Sequence, residues 1–202
     1  MKALVTGFEP FADYPHNPSR AVLDLLPERV GGLELVRATL PVDTEQVRTT
    51  LQELYQKHQP AAVLHLGLAA GRALVCLERL AVNLLDFEVP DNAGRLLHDT
   101  PILPGGPLAL HTRLPIRAIQ ARWKEAGIPS VLSNSAGLYL CNQVMYLALS
   151  WLPQKVPVGF IHLPPDETLA LAKPQAYVPL KTQAQAVALA LEEAQRAVPP
   201  GP

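Results

Sequence analysis

Short, continuous apolar runs alternate along this chain with stretches in which apolar residues recur at helical spacing. Lys2 to Thr6 reads as a buried strand that ends at Gly7, and Asn17 with Pro18 opens a helix as cap and first helical residue, carrying AVLDLL. Leu33 to Leu40 is the next strand. Asp43, with Gln46 three positions on, resembles a capping box for a helix through about His58, with Val47, Leu51 and Leu54 on its apolar face. AAVLHLG (61–67) is a buried strand, GLAAGR a loop, and Ala73 to Leu85 an apolar extended stretch. A polar, Gly- and Pro-rich loop follows from Asp86 to Pro107.

The second half keeps the same rhythm. A helix from about Pro115 to Ala126 stops at Gly127, Ser130 to Ser133 is a strand, and Leu140 to Leu152 is a helix with Val144, Leu147, Ala148 and Trp151 on one face. VPVGFIHLP (156–164) is a strand flanked by prolines, a Pro-bearing loop follows, and an Ala-rich helix runs from about Leu180 to Ala197. This alternation predicts an α/β fold: one three-layer α/β/α sandwich around a largely parallel, mixed central sheet, spanning residues 1–198, with 199–202 as a frayed tail. In such folds chemistry is expected at the carboxyl ends of the strands.

Composition narrows the function classes. With 202 residues and 49% hydrophobic content the chain suits one domain, and 17 basic against 18 acidic side chains leave no footprint for nucleic acid or anionic lipid. The start, MKALVTGFEPF, has too short an apolar run for a secretory signal, and the longest apolar region, Val63 to Leu77, is interrupted by His65 and Arg72. A cytoplasmic protein without membrane association is expected. Cys76 and Cys141 form no disulfide framework, and no CxxC, HExxH or P-loop pattern points to a metal or nucleotide.

Cys141 falls at or near the start of a predicted helix, where backbone N–H groups and the helix dipole favour a thiolate. It is therefore a candidate nucleophile, with burial as a small apolar residue the competing explanation. Cys76, inside ALVCL, reads as packing. Among six histidines, His16, His58, His98 and His111 lie in polar or loop contexts and are most simply solvated. His65 and His162 interrupt apolar strands near their carboxyl ends, and either would suit a base or a satisfied core residue. Glu78 and Asp86 are the carboxylates to weigh. Glu78 interrupts an apolar stretch, and a charge buried there needs a partner, either a catalytic one or a structural Arg79 or other arginine.

LVTGFEPF (4–11) with Asn17-Pro18-Ser19, GLAAGR, LERLAVN followed by VPDNAG, NSAGLYLCNQVMY (134–146) and GFIHLP (159–164) occur in order. Together these blocks resemble the pyroglutamyl-peptidase I (pyrrolidone-carboxylate peptidase) family of cysteine exopeptidases over nearly the whole chain. The resemblance implies Cys141 as nucleophile, His162 as general base and then acid, and Glu78 as the carboxylate that orients the imidazole. It implies a lactam pocket in which Phe8 and Phe11 pack the ring, Asn17 fixes the loop or the lactam, and Tyr139 and Leu140 close the wall, with Leu68 adjoining. It further implies N-terminally pyroglutamylated peptides as substrates, no metal or cofactor, and a homo-oligomer, dimer or tetramer. Ordinary core packing is the competing explanation for Phe8 and Phe11. Two departures adjoin the expected site: Leu68 stands where many relatives have Gln, and Glu88 where many have Arg. An inactive member that binds capped peptides, another thiol amidase and a nucleoside phosphorylase-like enzyme are the alternatives.

Overall fold

Seven residues of alternating and continuous apolar character, Lys2–Phe8, form β1, and every residue after Lys2 is buried, as a central parallel strand requires. In the computed structural model, which describes residues 1–198, β1 is flanked by β3 (Leu33–Leu40) and β4 (Ala62–Leu68), both parallel to it. β4 pairs in parallel with β9 (Val158–Leu163), so the two halves of the chain meet at the centre of the sheet. The seven strands run in the order β2-β3-β1-β4-β9-β5-β8, with β2 at Arg29–Val30, β5 at Val75–Glu78 and β8 at Ser130–Ser133. β5 lies antiparallel to β9 and β2 antiparallel to β3, which makes the sheet mixed.

Helices cover both faces. The apolar faces of α1 (Pro18–Leu25), α3 (Ile116–Glu125) and α6 (Leu180–Arg196) enclose one core, and α2 (Gln46–His58) and α4 (Leu140–Trp151) enclose the other. The result is the three-layer α/β/α sandwich expected. Local chemistry starts and stops these helices: Asn17 accepts from Ser19 N at the head of α1, and Gly127 (φ +68°) takes the left-handed turn after α3. Asp43 accepts from Glu45 N and Gln46 N, the one half of the predicted capping box that forms.

Several details differ from the sequence expectation. The extended stretch to Leu85 breaks at Arg79 into β5 and β6 (Leu80–Val82), and β6 pairs with β7 (Ala109–His111) in a small antiparallel ribbon. The segment after β9 contains a helix, α5 (Glu167–Ala172), whose cap is Asp166. The tail at 199–202 lies outside the described residues. No described helix is long and apolar enough to cross a membrane.

Candidate active site

The site forms where β4 and β9 end, beside the antiparallel β5 and the start of α4. His162 is on β9 opposite Gly67 of β4, and Cys76 of β5 pairs with it on the other side. Residues in register share a face of the sheet, so Gly67, His162 and Glu78 all look toward α4. Gly67 has a specific reason to lack a side chain. A Cβ there would lie 2.6 Å from Cys141 Sγ and 2.8 Å from the Phe160 ring, so the bare backbone seats the thiol against the sheet.

His162 is 6% exposed, and its Nδ1 lies 2.8 Å from Oε1 of Glu78, which is fully buried. Nδ1–H thus donates to the carboxylate and Nε2 is left as the acceptor. Arg72, from the loop after β4, donates to the same Glu78 oxygen at 2.8 Å and reaches Ser133 Oγ and the Ser135 carbonyl at 3.2 and 3.3 Å. Glu78 Oε2 is buried without a hydrogen-bond partner. The carboxylate therefore answers both readings offered by the sequence: it pairs with an arginine, Arg72 and not Arg79, and it also holds a histidine.

Cys141 is the second residue of α4, half-buried, with Tyr139 as the helix cap. Burial, with the nearby Glu78 charge, pushes its thiol up to about 12, against the opposing pull of its own backbone N–H and of Arg72. Desolvation outweighs the helix start here, so the thiol is not a free-standing thiolate and needs a proton acceptor beside it. Cys141 and His162 line one cavity of about 130 Å³, together with Phe8, Phe11, Asn17, Val42, Leu68, Ala136, Tyr139 and Leu140. That is close to the roughly 150 Å³ apolar hole that accepts a benzene molecule.

All six residues expected at a pocket surround this cavity, and Val42 and Ala136 join them. The Asn17 side chain is already committed: Oδ1 accepts from Ser19 N and Ser19 Oγ, and Nδ2 donates to the Glu9 carbonyl. It fixes the loop. Leu68 lines the cavity, whereas Glu88 is exposed and is not among the lining residues. His65 does not reach the strand-end site. It is fully buried between Thr6 Oγ1 at 2.6 Å and Tyr55 OH at 3.0 Å, and burial lowers its pKa to about 3. Two loop histidines are not simply solvated: His16 pairs with Asp166 at 2.6 Å and His98 with Asp86 at 2.9 Å. Cys76 is buried beside Arg72, which favours its thiolate, but desolvation dominates and raises its pKa. No group of three His, Cys, Asp or Glu residues that could hold a metal occurs among the described residues.

A cysteine and a carboxylate-held histidine on one small cavity are the parts that thiol-dependent hydrolases use for acyl transfer. Comparison with known proteins gives the narrower class. The family model described as pyroglutamyl peptidase matches residues 1–197, and the chain belongs to that family. It is 48% identical over 183 residues to the pyrrolidone-carboxylate peptidase of Deinococcus radiodurans, covering 88% of this chain and 84% of that protein. The crystal structure of pyrrolidone carboxyl peptidase from Thermus thermophilus superposes with a TM-score of 0.93 at 62% identity, covering 95% of this chain and 99% of that one. Pyroglutamyl peptidase I of Bacillus amyloliquefaciens gives 0.91 at 34% identity, covering 96% and 97%.

Proposed function

We propose that this chain hydrolyses the peptide bond after an N-terminal pyroglutamyl residue, with Cys141 as nucleophile, His162 as general base and acid, and Glu78 holding the imidazole. The observation that carries this reading is the shared cavity: a half-buried thiol and a histidine whose Nδ1 is fixed by a buried carboxylate, at one ring-sized apolar hole. His162 Nε2 takes the Cys141 proton as sulfur attacks the scissile carbonyl, and Glu78 stabilises the imidazolium. The N–H groups of the first turn of α4, which have no partner within the helix and no side-chain cap, supply the donors for the oxyanion. The imidazolium then protonates the leaving amine and a thioester remains. Water, deprotonated by His162, attacks the thioester, and collapse releases pyroglutamate and returns the proton to sulfur.

The cavity suits the lactam ring. Its walls are apolar apart from Asn17, Tyr139, Cys141 and His162, and among the described residues no arginine or lysine lines it, so a neutral ring fits where a free glutamyl terminus would be desolvated at high cost. Pyroglutamyl-capped peptides as substrates, a cytoplasmic setting and assembly as a homodimer or tetramer complete the proposal.

Release of a fluorogenic amine from a pyroglutamyl amide, with the prolyl amide as control, tests the reading in wild type and Cys141→Ala. Turnover of the pyroglutamyl amide alone, lost in the variant, is expected. A folded, reduced wild type that binds the amide without turnover would mark an inactive binder, and phosphate-dependent turnover insensitive to thiol reagents would mark a phosphorylase; either overturns the proposal.

A further inference from the structure

One wall of the cavity comes from the segment between β1 and α1, which supplies Phe11 and Asn17. One side of this segment is tied through Glu9: Oε1 accepts from Val42 N and Asn92 Nδ2, each at 2.9 Å, and Asn92 also donates to the Pro10 carbonyl at 3.1 Å. The other side is tied next to Asn17. His16 Nε2 donates to Asp166 Oδ2 across 2.6 Å, joining positions 150 residues apart. Asp166 is fully buried just beyond His162, and its other oxygen accepts from Leu169 N at 3.1 Å at the head of α5. Neither His16 nor Asp166 lines the cavity.

A buried carboxylate oxygen strongly requires a donor. His16 supplies it from a half-buried position beside Asn17, whose own side chain ties the helix start and the Glu9 carbonyl, and so links this end of the loop to the segment after β9. We propose that His16 and Asp166 are positioning residues for substrate binding, a clasp that seats the Phe11–Asn17 wall against the strand end carrying His162. Without the clasp the Glu9 and Asn17 ties persist, but the wall loses its link to the segment after β9 and must be seated against it each time substrate binds, a cost that falls on binding and not on the chemical step.

The inference rests on the activity proposed above, and the test separates the two. Steady-state kinetics on the pyroglutamyl amide are measured for full-length wild type, His16→Ala and His16→Gln, with the melting temperature of each. His16→Ala is expected to raise KM about 3- to 10-fold with kcat within about twofold. His16→Gln, which keeps an N–H donor at similar reach, recovers most of the loss. In an Asp166→Asn background His16→Ala has no further effect on KM; should that background not fold, the Gln rescue decides. An inactive wild type overturns the activity. An active wild type with unchanged KM in His16→Ala, a fall in kcat alone, or a lowered melting temperature with KM intact overturns the clasp.

Discussion

His65 and His162 stand on neighbouring parallel strands and face the same side of the sheet, His65 opposite Phe160 and His162 opposite Gly67. Their surroundings part company within that short distance. His65 sits between two hydroxyls, which can each donate or accept, so a neutral ring is satisfied in either tautomer and burial keeps it neutral. His162 has a carboxylate on Nδ1 and an open cavity beyond it, so an imidazolium formed there meets a compensating charge. Strand position and burial do not make a histidine a base. The charge of the partner does, together with a reactive group on the other side of the ring.

Exchanging the two rings for methyl groups separates the roles most sharply. His162→Ala should lower kcat/KM by about 10²–10⁴ while the protein stays folded, because a general base is lost from a site already open to the cavity. His65→Ala should leave turnover of the folded fraction within a few-fold but destabilise by about 1–3 kcal/mol, since Thr6 and Tyr55 lose their buried partner. Kinetics and urea unfolding on both variants check this; equal losses of activity would end the distinction.

A smaller effect is expected where the two strands receive the thiol. Gly67→Ala puts a methyl against Cys141 Sγ and the Phe160 ring. Overpacking of this kind costs about 1–3 kcal/mol, and a displacement of about 1 Å at a reacting atom costs on the order of 10²-fold in rate. Alkylation of Cys141 by iodoacetamide should slow in parallel with kcat/KM. Activity within twofold of wild type would show that the thiol does not depend on the bare backbone of β4.

Strong local signals carried much of this molecule. The runs at Leu33–Leu40 and Ser130–Ser133 and the Asn17-Pro18 helix start are set by neighbours in sequence, and the strands and helix formed there. The antiparallel placement of β5 was not legible, because a fully buried strand has the same apolar pattern in either direction. α5 was hidden among prolines, and its six residues are too few to show a helical period. At the site, ordered motifs named the residues, but the side chains that hold them were out of reach. Arg72 meets Glu78 only after a loop turns back, His16 meets Asp166 from the far end of the chain, and the need for Gly67 depends on a cysteine on another element.

A last expected effect, spread over pH and small at any one pH step, isolates His65 from every other titrating group. An unfolded histidine takes up a proton as pH falls through about 6.5, whereas in the fold His65 refuses it down to about 3. Between those values the unfolded state binds the extra proton, so His65 contributes stability that is present above about pH 6.5 and lost as pH falls, at a slope approaching about 1.4 kcal/mol per pH unit. Carboxylates elsewhere add their own acid dependence, so the comparison must be a difference. His65→Gln keeps an amide donor and acceptor for the two hydroxyls but cannot take up the proton. Its unfolding free energy should fall less steeply than that of wild type between pH 6 and pH 4, by roughly that one-proton slope. Parallel curves would mean that His65 is protonated inside the fold, and the contrast with His162 would then lie in access to the cavity and not in charge.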